Sequence, residues 1–385
     1  MRWSWLAVLV ACGPGAPVRL RHQPVLSAVT TTSARVSFTL QEQASIEVKI
    51  SGAVATTVAT YWPMAYTKLD HDVVHYEASL SGLQGGREYS YQILANRRSI
   101  AGPTRFRSAP SDPSAEVHAV LFGDSGTGTD EHHAVTKWLT QLPADLVLHT
   151  GDLAYSRGTF AEFEKNVLHE YGTWWAGTPF FPTPGNHDYR TDEALPYLGF
   201  LALPENASEP AHRERYYAFS WGPVRFYALD SNTPLDQAAA GEPAMLQWFD
   251  ADVAQAKERF KIAYFHHSPY SSGPHGDDQR AIEQLVPHFE AAHLDVVFTG
   301  HDHIYERTQP LLGGQPSTSG ISYIVSGGGG ARLYERKSTL PRTAVFAAQH
   351  HAVQLSFTQG CKLSLVAASP NGPELDRFVL DKCAR

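Results

Sequence analysis

Val296-Val297-Phe298-Thr299-Gly300-His301-Asp302-His303 is the stretch that orients the rest of the chain. Its first four residues are β-branched or aromatic and read as a short buried strand that ends at Gly300. The two histidines beyond it, one residue apart, can aim imidazoles at neighbouring points from the mouth of that strand. Neutral imidazole is the commonest metal-ligating side chain, so the pattern points to a paired-metal site. Standing alone, a His-x-His is read as well by a polar loop. The question is whether other strand ends supply further ligands.

Four do. Val117-His118-Ala119-Val120-Leu121-Phe122 runs into Gly123-Asp124-Ser125-Gly126, and Asp145-Leu146-Val147-Leu148-His149 leads to Gly151-Asp152-Leu153-Ala154-Tyr155. Phe180-Phe181-Pro182-Thr183-Pro184 precedes Gly185-Asn186-His187-Asp188, and Ile262-Ala263-Tyr264-Phe265 precedes His266-His267-Ser268-Pro269-Tyr270. Each cluster alone reads as a turn or cap. Together they bring two carboxylates, an amide, a phenol and several imidazoles to strand ends. Mixed oxygen and nitrogen donors suit two hydrolytic metals about 3.5–4 Å apart. Helical stretches over 132–142, 244–260 and 279–292 alternate with these strands, which predicts α/β layers. In such sheets ligands bind beyond the carboxyl ends of the strands.

In this order the five clusters resemble the calcineurin-like metallophosphoesterases, and within them the purple acid phosphatases, whose pattern is GDxG, GDxxY, GNH(D/E), VxxH and GHxH. The broader superfamily carries a histidine ligand where Gly126 stands, and Tyr155 replaces it with a hard, anionic donor suited to trivalent iron. The resemblance implies that Fe(III) is held by Asp124, Asp152, Tyr155 and His303, with Asp152 bridging. A divalent metal (Fe, Zn or Mn) would share Asp152 and take Asn186, His266 and His301. The fourth motif has Ala263 in place of valine, and His267 stays open as an alternative to His266. His187 matches the family's substrate-contacting histidine. His275 lies where mammalian-type members carry a second, and an exposed loop histidine reads that position nearly as well. Either could act as the acid that the leaving group needs. Asp302 is left as a spacer, and His132, His133, His149, His350 and His351 are assigned to packing or solvent.

The implied activity is hydrolysis of phosphate monoesters by a hydroxide bound at the Fe(III)–M(II) centre. A phosphodiesterase or nucleotidase on the same site is the alternative. A surface binding module with a vestigial site is a third reading, opposed by the intact ligand set.

Upstream, from about 20 to 110, short alternating segments such as Ile46-Glu47-Val48-Lys49-Ile50 are separated by turn residues. They predict a small antiparallel β-sandwich, and Leu80 to Tyr91 looks like the E–F corner of a fibronectin type III domain. Residues 111–116 read as a linker and 117–385 as the metallophosphoesterase unit, a βαβαβ-type β-sandwich flanked by helices. A chain of 385 residues has room for both units. Hydrophobic content of 43% and charged content of 18% are those of a globular protein. A net charge of −8 argues against a nucleic-acid-binding face, and the resemblance makes a phosphate ester the expected partner.

Residues 1–19 read as an export signal and tether: Arg2, a short apolar run, then Leu9-Val10-Ala11-Cys12, which resembles a bacterial lipobox. Lipidation at Cys12 would be the only membrane attachment and would place the protein in a bacterial envelope; a plain secretory signal is the alternative. Cys361 and Cys383 could pair in an exported context, but sequence does not show how close they lie.

Overall fold

The computed structural model describes residues 18–232, 244–370 and 372–383. The expected signal and lipobox at Cys12 lie outside the described residues.

The first unit is the antiparallel sandwich expected. Its strands are β1 (Val25–Ser27), β2 (Ser33–Leu40), β3 (Ile46–Ile50), β4 (Val54–Trp62), β5 (Val73–Ser81), β6 (Glu88–Ala95) and β7 (Arg98–Arg107). They form a four-stranded sheet in the order β1-β2-β5-β4 and a three-stranded sheet in the order β3-β6-β7. Alternation along β6 puts Tyr89, Tyr91, Ile93 and Ala95 inside. The Tyr89 hydroxyl accepts the backbone N–H of Gln84 at 2.7 Å, which pins the preceding corner.

The second unit stacks two sheets. Its strands run β8 (Val117–Phe122), β9 (Leu146–His149), β10 (Phe180–Pro182), β11 (Tyr217–Trp221), β12 (Val224–Ala228), β13 (Phe260–Tyr264), β14 (Val296–Thr299) and β15 (Tyr305–Thr308). A small hairpin, β16 (Leu311–Leu312) and β17 (Gln315–Pro316), precedes β18 (Ser322–Ser326), β19 (Thr343–Ala347), β20 (Ala352–Thr358), β21 (Lys362–Ala368) and β22 (Glu374–Asp381). One sheet has the order β10-β9-β8-β20-β21-β22 and the other β11-β12-β13-β14-β18-β15-β19. Strands β8, β9 and β10 are parallel, as are β12, β13, β14 and β18. Between the sheets pack apolar side chains such as Phe226 and Phe260, both edge-on to Phe357. The far face of the second sheet is covered by Ala244–Val253 and Val286–Ala291 through Phe249 and Phe289.

Three helices differ from the sequence reading. The first spans Asp130–Leu139, starting earlier because Thr129 accepts the N–H of His132 as an N-cap. The second stops at Val253, where the chain turns toward β13. The third is two short pieces, Gln279–Gln284 and Val286–Ala291, because Pro287 lacks the N–H and crowds the preceding turn.

The two units are packed together. Ser27 and Ser37 donate to the carbonyls of Ala202 and Phe200, both at 2.7 Å, and Tyr91 donates to Ala176 O at 2.8 Å. Trp62 at the end of β4 is stacked on His75 (4.5 Å) and meets Phe160 and Phe200 edge-on (both 5.5 Å).

Candidate metal centre

Parallel strands β8, β9 and β10 of one sheet and β13 and β14 of the other all end at one rim, so the five polar clusters converge. Asp124 and Asp152 follow β8 and β9. The turns are tight: Asp124 N–H donates to Gly151 O (3.0 Å) and Ser125 N–H to Asp152 O (3.1 Å). Gly126 has no room for a side chain, since a Cβ there would lie 1.8 Å from Leu153 O. That contact lets the two turns run side by side and leaves Tyr155 to reach the centre. Asp124, Asp152 and His301 have φ of 57°, 56° and 70°, a left-handed backbone rare outside glycine. Strain of this kind persists where surrounding bonds over-determine it, and it gathers at functional sites.

Asn186 follows β10, which hydroxyls of the second sheet hold in place. Tyr264 donates to Phe181 O at 3.0 Å and Tyr217 to Pro182 O at 2.6 Å. Gly185 stays small because a Cβ would fall 2.1 Å from Asp152 Oδ1.

The resulting contacts divide into two groups. The Tyr155 hydroxyl lies 3.1 Å from both Asp124 Oδ1 and His303 Nε2, while His303 Nδ1 is 2.7 Å from Arg332 O. His266 Nε2 lies 3.0 Å from Asn186 Oδ1 and 3.4 Å from Asp152 Oδ2, and its Nδ1 is 3.0 Å from Thr150 O. The backbone carbonyls beside the far nitrogens orient each ring toward the carboxylates. His301 packs its ring 5.0 Å from that of His266. His267 turns away, with Nδ1 on Ser231 Oγ at 2.8 Å. The structure thus brings His266, and not His267, onto Asp152 and Asn186.

His187 donates its main-chain N–H to Asp152 Oδ1 at 2.7 Å, and its ring lies tilted 4.4 Å from that of Tyr155. His275 lies over His301 with ring centroids 4.0 Å apart. All nine residues singled out in the sequence therefore gather at one rim.

The electrostatics are those of a site built around cations. Asp124 and Asp152 are 0% and 1% exposed, yet among the described residues their ion-pair partners are histidines, with no lysine or arginine. Two buried carboxylates compensated by imidazoles alone are costly. Burial would lower the His266 pKa, but Asp152 and Asp124 outweigh it and push it up to about 9. Burial and the same two carboxylates hold the Tyr155 phenol well above its ordinary value. Burial and the neighbouring His266 and His275 bring His301 down to about 3, leaving the neutral ring a metal needs. The donor set fits a pair of cations.

Two residues play larger parts than the sequence suggested. Asp188, fourth in its motif, is buried and accepts the N–H groups of Leu153 (3.0 Å), Ala154 (3.2 Å) and Gly185 (2.8 Å), tying the Asp152 and Asn186 turns together. Asp302, read as a spacer, is 1% exposed and holds His275 Nδ1 at 2.9 Å. The glycine run after β18 permits close approach: a Cβ on Gly327 would lie 2.3 Å from Asp302 O. Trp175 is buried and stacked on Phe180 at 3.7 Å. His132, His149 and His351 are buried, in keeping with packing roles.

The model of the calcineurin-like phosphoesterase family matches residues 117–305. These residues form a calcineurin-like phosphoesterase domain. The match begins at β8 and ends beyond His303, so it contains every cluster described above. Purple acid phosphatase 21 of Arabidopsis thaliana is 27% identical over 241 residues, 59% of this chain and 52% of that protein. Purple acid phosphatase 15 of the same plant is 26% identical over 296 residues, 68% of this chain and 54% of that protein. The chain spans about half the length of these relatives. The purple acid phosphatase PPD1 from yellow lupin seeds superposes with a TM-score of 0.81 at 19% identity, covering 93% of this chain and 74% of that one. The phosphoesterase domain and the sandwich before it thus share their fold with the lupin protein.

Proposed function

We propose that the chain is an exported, purple-acid-phosphatase-like hydrolase of phosphate monoesters with a dinuclear Fe(III)–M(II) centre, M being iron, zinc or manganese. The division into 20–110, a linker at 111–116 and 117–385 belongs to the same reading, with the fibronectin type III-like sandwich as scaffold. The observation that carries it is the pair of buried carboxylates, without lysine or arginine partners among the described residues and ringed by a phenol, an amide and three imidazoles.

Asp124, Tyr155 and His303 form the group assigned to iron, and Asn186, His266 and His301 that assigned to the divalent metal, with Asp152 between. Metals held there supply Lewis acidity toward a phosphoryl oxygen and acidify a water. A trivalent ion is suited to Tyr155, whose phenol needs a strong Lewis acid to ionise among carboxylates. The neutral amide of Asn186 leaves the second metal more net charge. His187 and His275 flank the centre and are assigned to the substrate oxygens, His187 held by its bond to Asp152 and by Ser156 O at 2.7 Å from Nδ1. Burial keeps the His187 ring below its ordinary pKa against the pull of Asp152.

Export is supported by the bridge between Cys361 and Cys383, since such bonds persist in oxidising compartments. No helix among the described residues is long and apolar enough to cross a membrane. Metal analysis of the purified protein, with kinetics on a panel of mono- and diesters, tests the reading. Two metals per chain and preference for monoesters are expected. Preference for diesters would replace the substrate assignment, and a metal-free active protein would end the proposal.

A further inference from the structure

We infer that Asp302 is a positioning residue that fixes the His275 imidazole over the centre for substrate binding; this rests on the phosphatase reading above. One carboxylate oxygen does two things at once. Asp302 Oδ1 accepts the main-chain N–H of His275 at 3.1 Å and faces its Nδ1 at 2.9 Å, so loop and ring are held by the same atom. The other oxygen, Oδ2, accepts the hydroxyl of Ser271 at 2.5 Å, and Ser271 Oγ in turn accepts the N–H of Gly273 at 3.0 Å. A Cβ on Gly273 would sit 2.4 Å from Asp302 Cγ, so the 271–275 loop closes directly onto the carboxylate.

The two partners differ sharply in exposure. The Asp302 side chain is 1% exposed and that of His275 43%. Asp302 is itself rigid, with its N–H on Gly300 O at 2.9 Å and its carbonyl accepting Ile304 N–H at 2.8 Å. An exposed imidazole on a loop ordinarily samples several rotamers, which costs entropy when a ligand must be met. Here Nδ1 carries its hydrogen toward the carboxylate, so Nε2 is the nitrogen left for a substrate oxygen. The ring lies over His301 and edge-on to Tyr334, whose ring is stacked on His303. The residue between the two histidines of the opening motif thus serves a third histidine, 27 residues earlier in the chain.

The test is a double-mutant cycle on the metal-loaded full chain with para-nitrophenyl phosphate, read as KM and kcat separately, with metal content measured on each variant. Asp302→Asn is expected to raise KM and to lower kcat/KM about 10–100-fold, with metal content unchanged. In a His275→Ala background it is expected to add nothing. Ser271→Ala, which frees one carboxylate oxygen but keeps the charge, is expected to raise KM a few-fold (roughly) and likewise to add nothing without His275. Additive losses, loss of metal in Asp302→Asn, or an unchanged KM would overturn the inference while wild-type phosphatase activity stood. A wild-type protein without metal or phosphatase activity would instead remove the reading beneath it.

Discussion

The main-chain N–H of His301 is shared between the two carboxylate oxygens of Asp124, at 3.2 and 3.1 Å. The bond joins the end of β8 to the end of β14, across the two sheets, and it aims the Asp124 oxygens toward Tyr155. Asp124→Asn would set an amide NH2 against that N–H. At least one metal equivalent should be lost, and monoester hydrolysis should fall by ~10³-fold, about 4 kcal/mol of transition-state stabilisation. Metal analysis and initial rates on the same sample check both.

Tyr155 is the residue that separates an iron–tyrosinate site from other two-metal arrangements. Holoprotein should show visible absorbance from tyrosinate-to-iron charge transfer. Tyr155→Phe should lose that band while the divalent metal stays. A colourless, iron-free, active wild-type protein would remove iron from the assignment.

Asp188 accepts three backbone N–H groups at once. Asp188→Ala leaves them buried without an acceptor, each costing about 1–3 kcal/mol. A stability loss of roughly 3 kcal/mol or more is expected by urea unfolding. Asp188→Asn keeps the size and part of the acceptance, and should lower activity about 10–100-fold with a smaller loss of stability.

Where the sandwich meets the phosphoesterase domain, His22 and His75 share the hydroxyl of Thr39, at 3.1 and 3.0 Å. Burial lowers His22 to about 4, and burial with the nearby His22 lowers His75 to about 3, from 6.5. The folded state therefore resists protonation that the unfolded chain accepts. Their contribution is fully present above pH ~6.5 and is lost as pH falls toward the folded values. At pH 5 each should cost about 2 kcal/mol relative to pH 8. Urea midpoints across that range check the slope, and His75→Gln should flatten it by about half.

Cys361 and Cys383, 22 residues apart, close a loop that contains the whole of β21 and β22. Replacing both by serine should lower stability by about 2–4 kcal/mol, with metal content unchanged, since the bridge joins the start of β21 to the end of β22, strands that carry none of the assigned residues. Calorimetry of the two forms checks it.

The candidate centre was legible because the residues assigned to it follow short apolar strands, and each turn keeps its chemistry within four or five residues. Gly123-Asp124 and Gly151-Asp152 read singly as turns, and their recurrence at successive strand ends is what marks them. Asp302 did not, because its partner His275 is brought to it only by the fold. Asp188 stood in plain view within its motif, but an acceptor of backbone N–H groups leaves no composition signal. The long run 279–292 read as one helix because its apolar spacing is helical; Pro287 overrode the spacing. Strands β19 to β22 carried no nearby ligand cluster to mark them, and the sequence reading left them unassigned.

The residues assigned to the two metals are split between sheets: Asp124, Asp152, Tyr155 and Asn186 on one, His266, His301 and His303 on the other. Among the described residues no strand pairing links the two sheets, which meet chiefly through apolar packing. A cation held by that set would be gripped from both sides, and would be a clasp as well as a reagent. Its removal by a chelator should leave a seam along this rim, where the molecule parts first on heating.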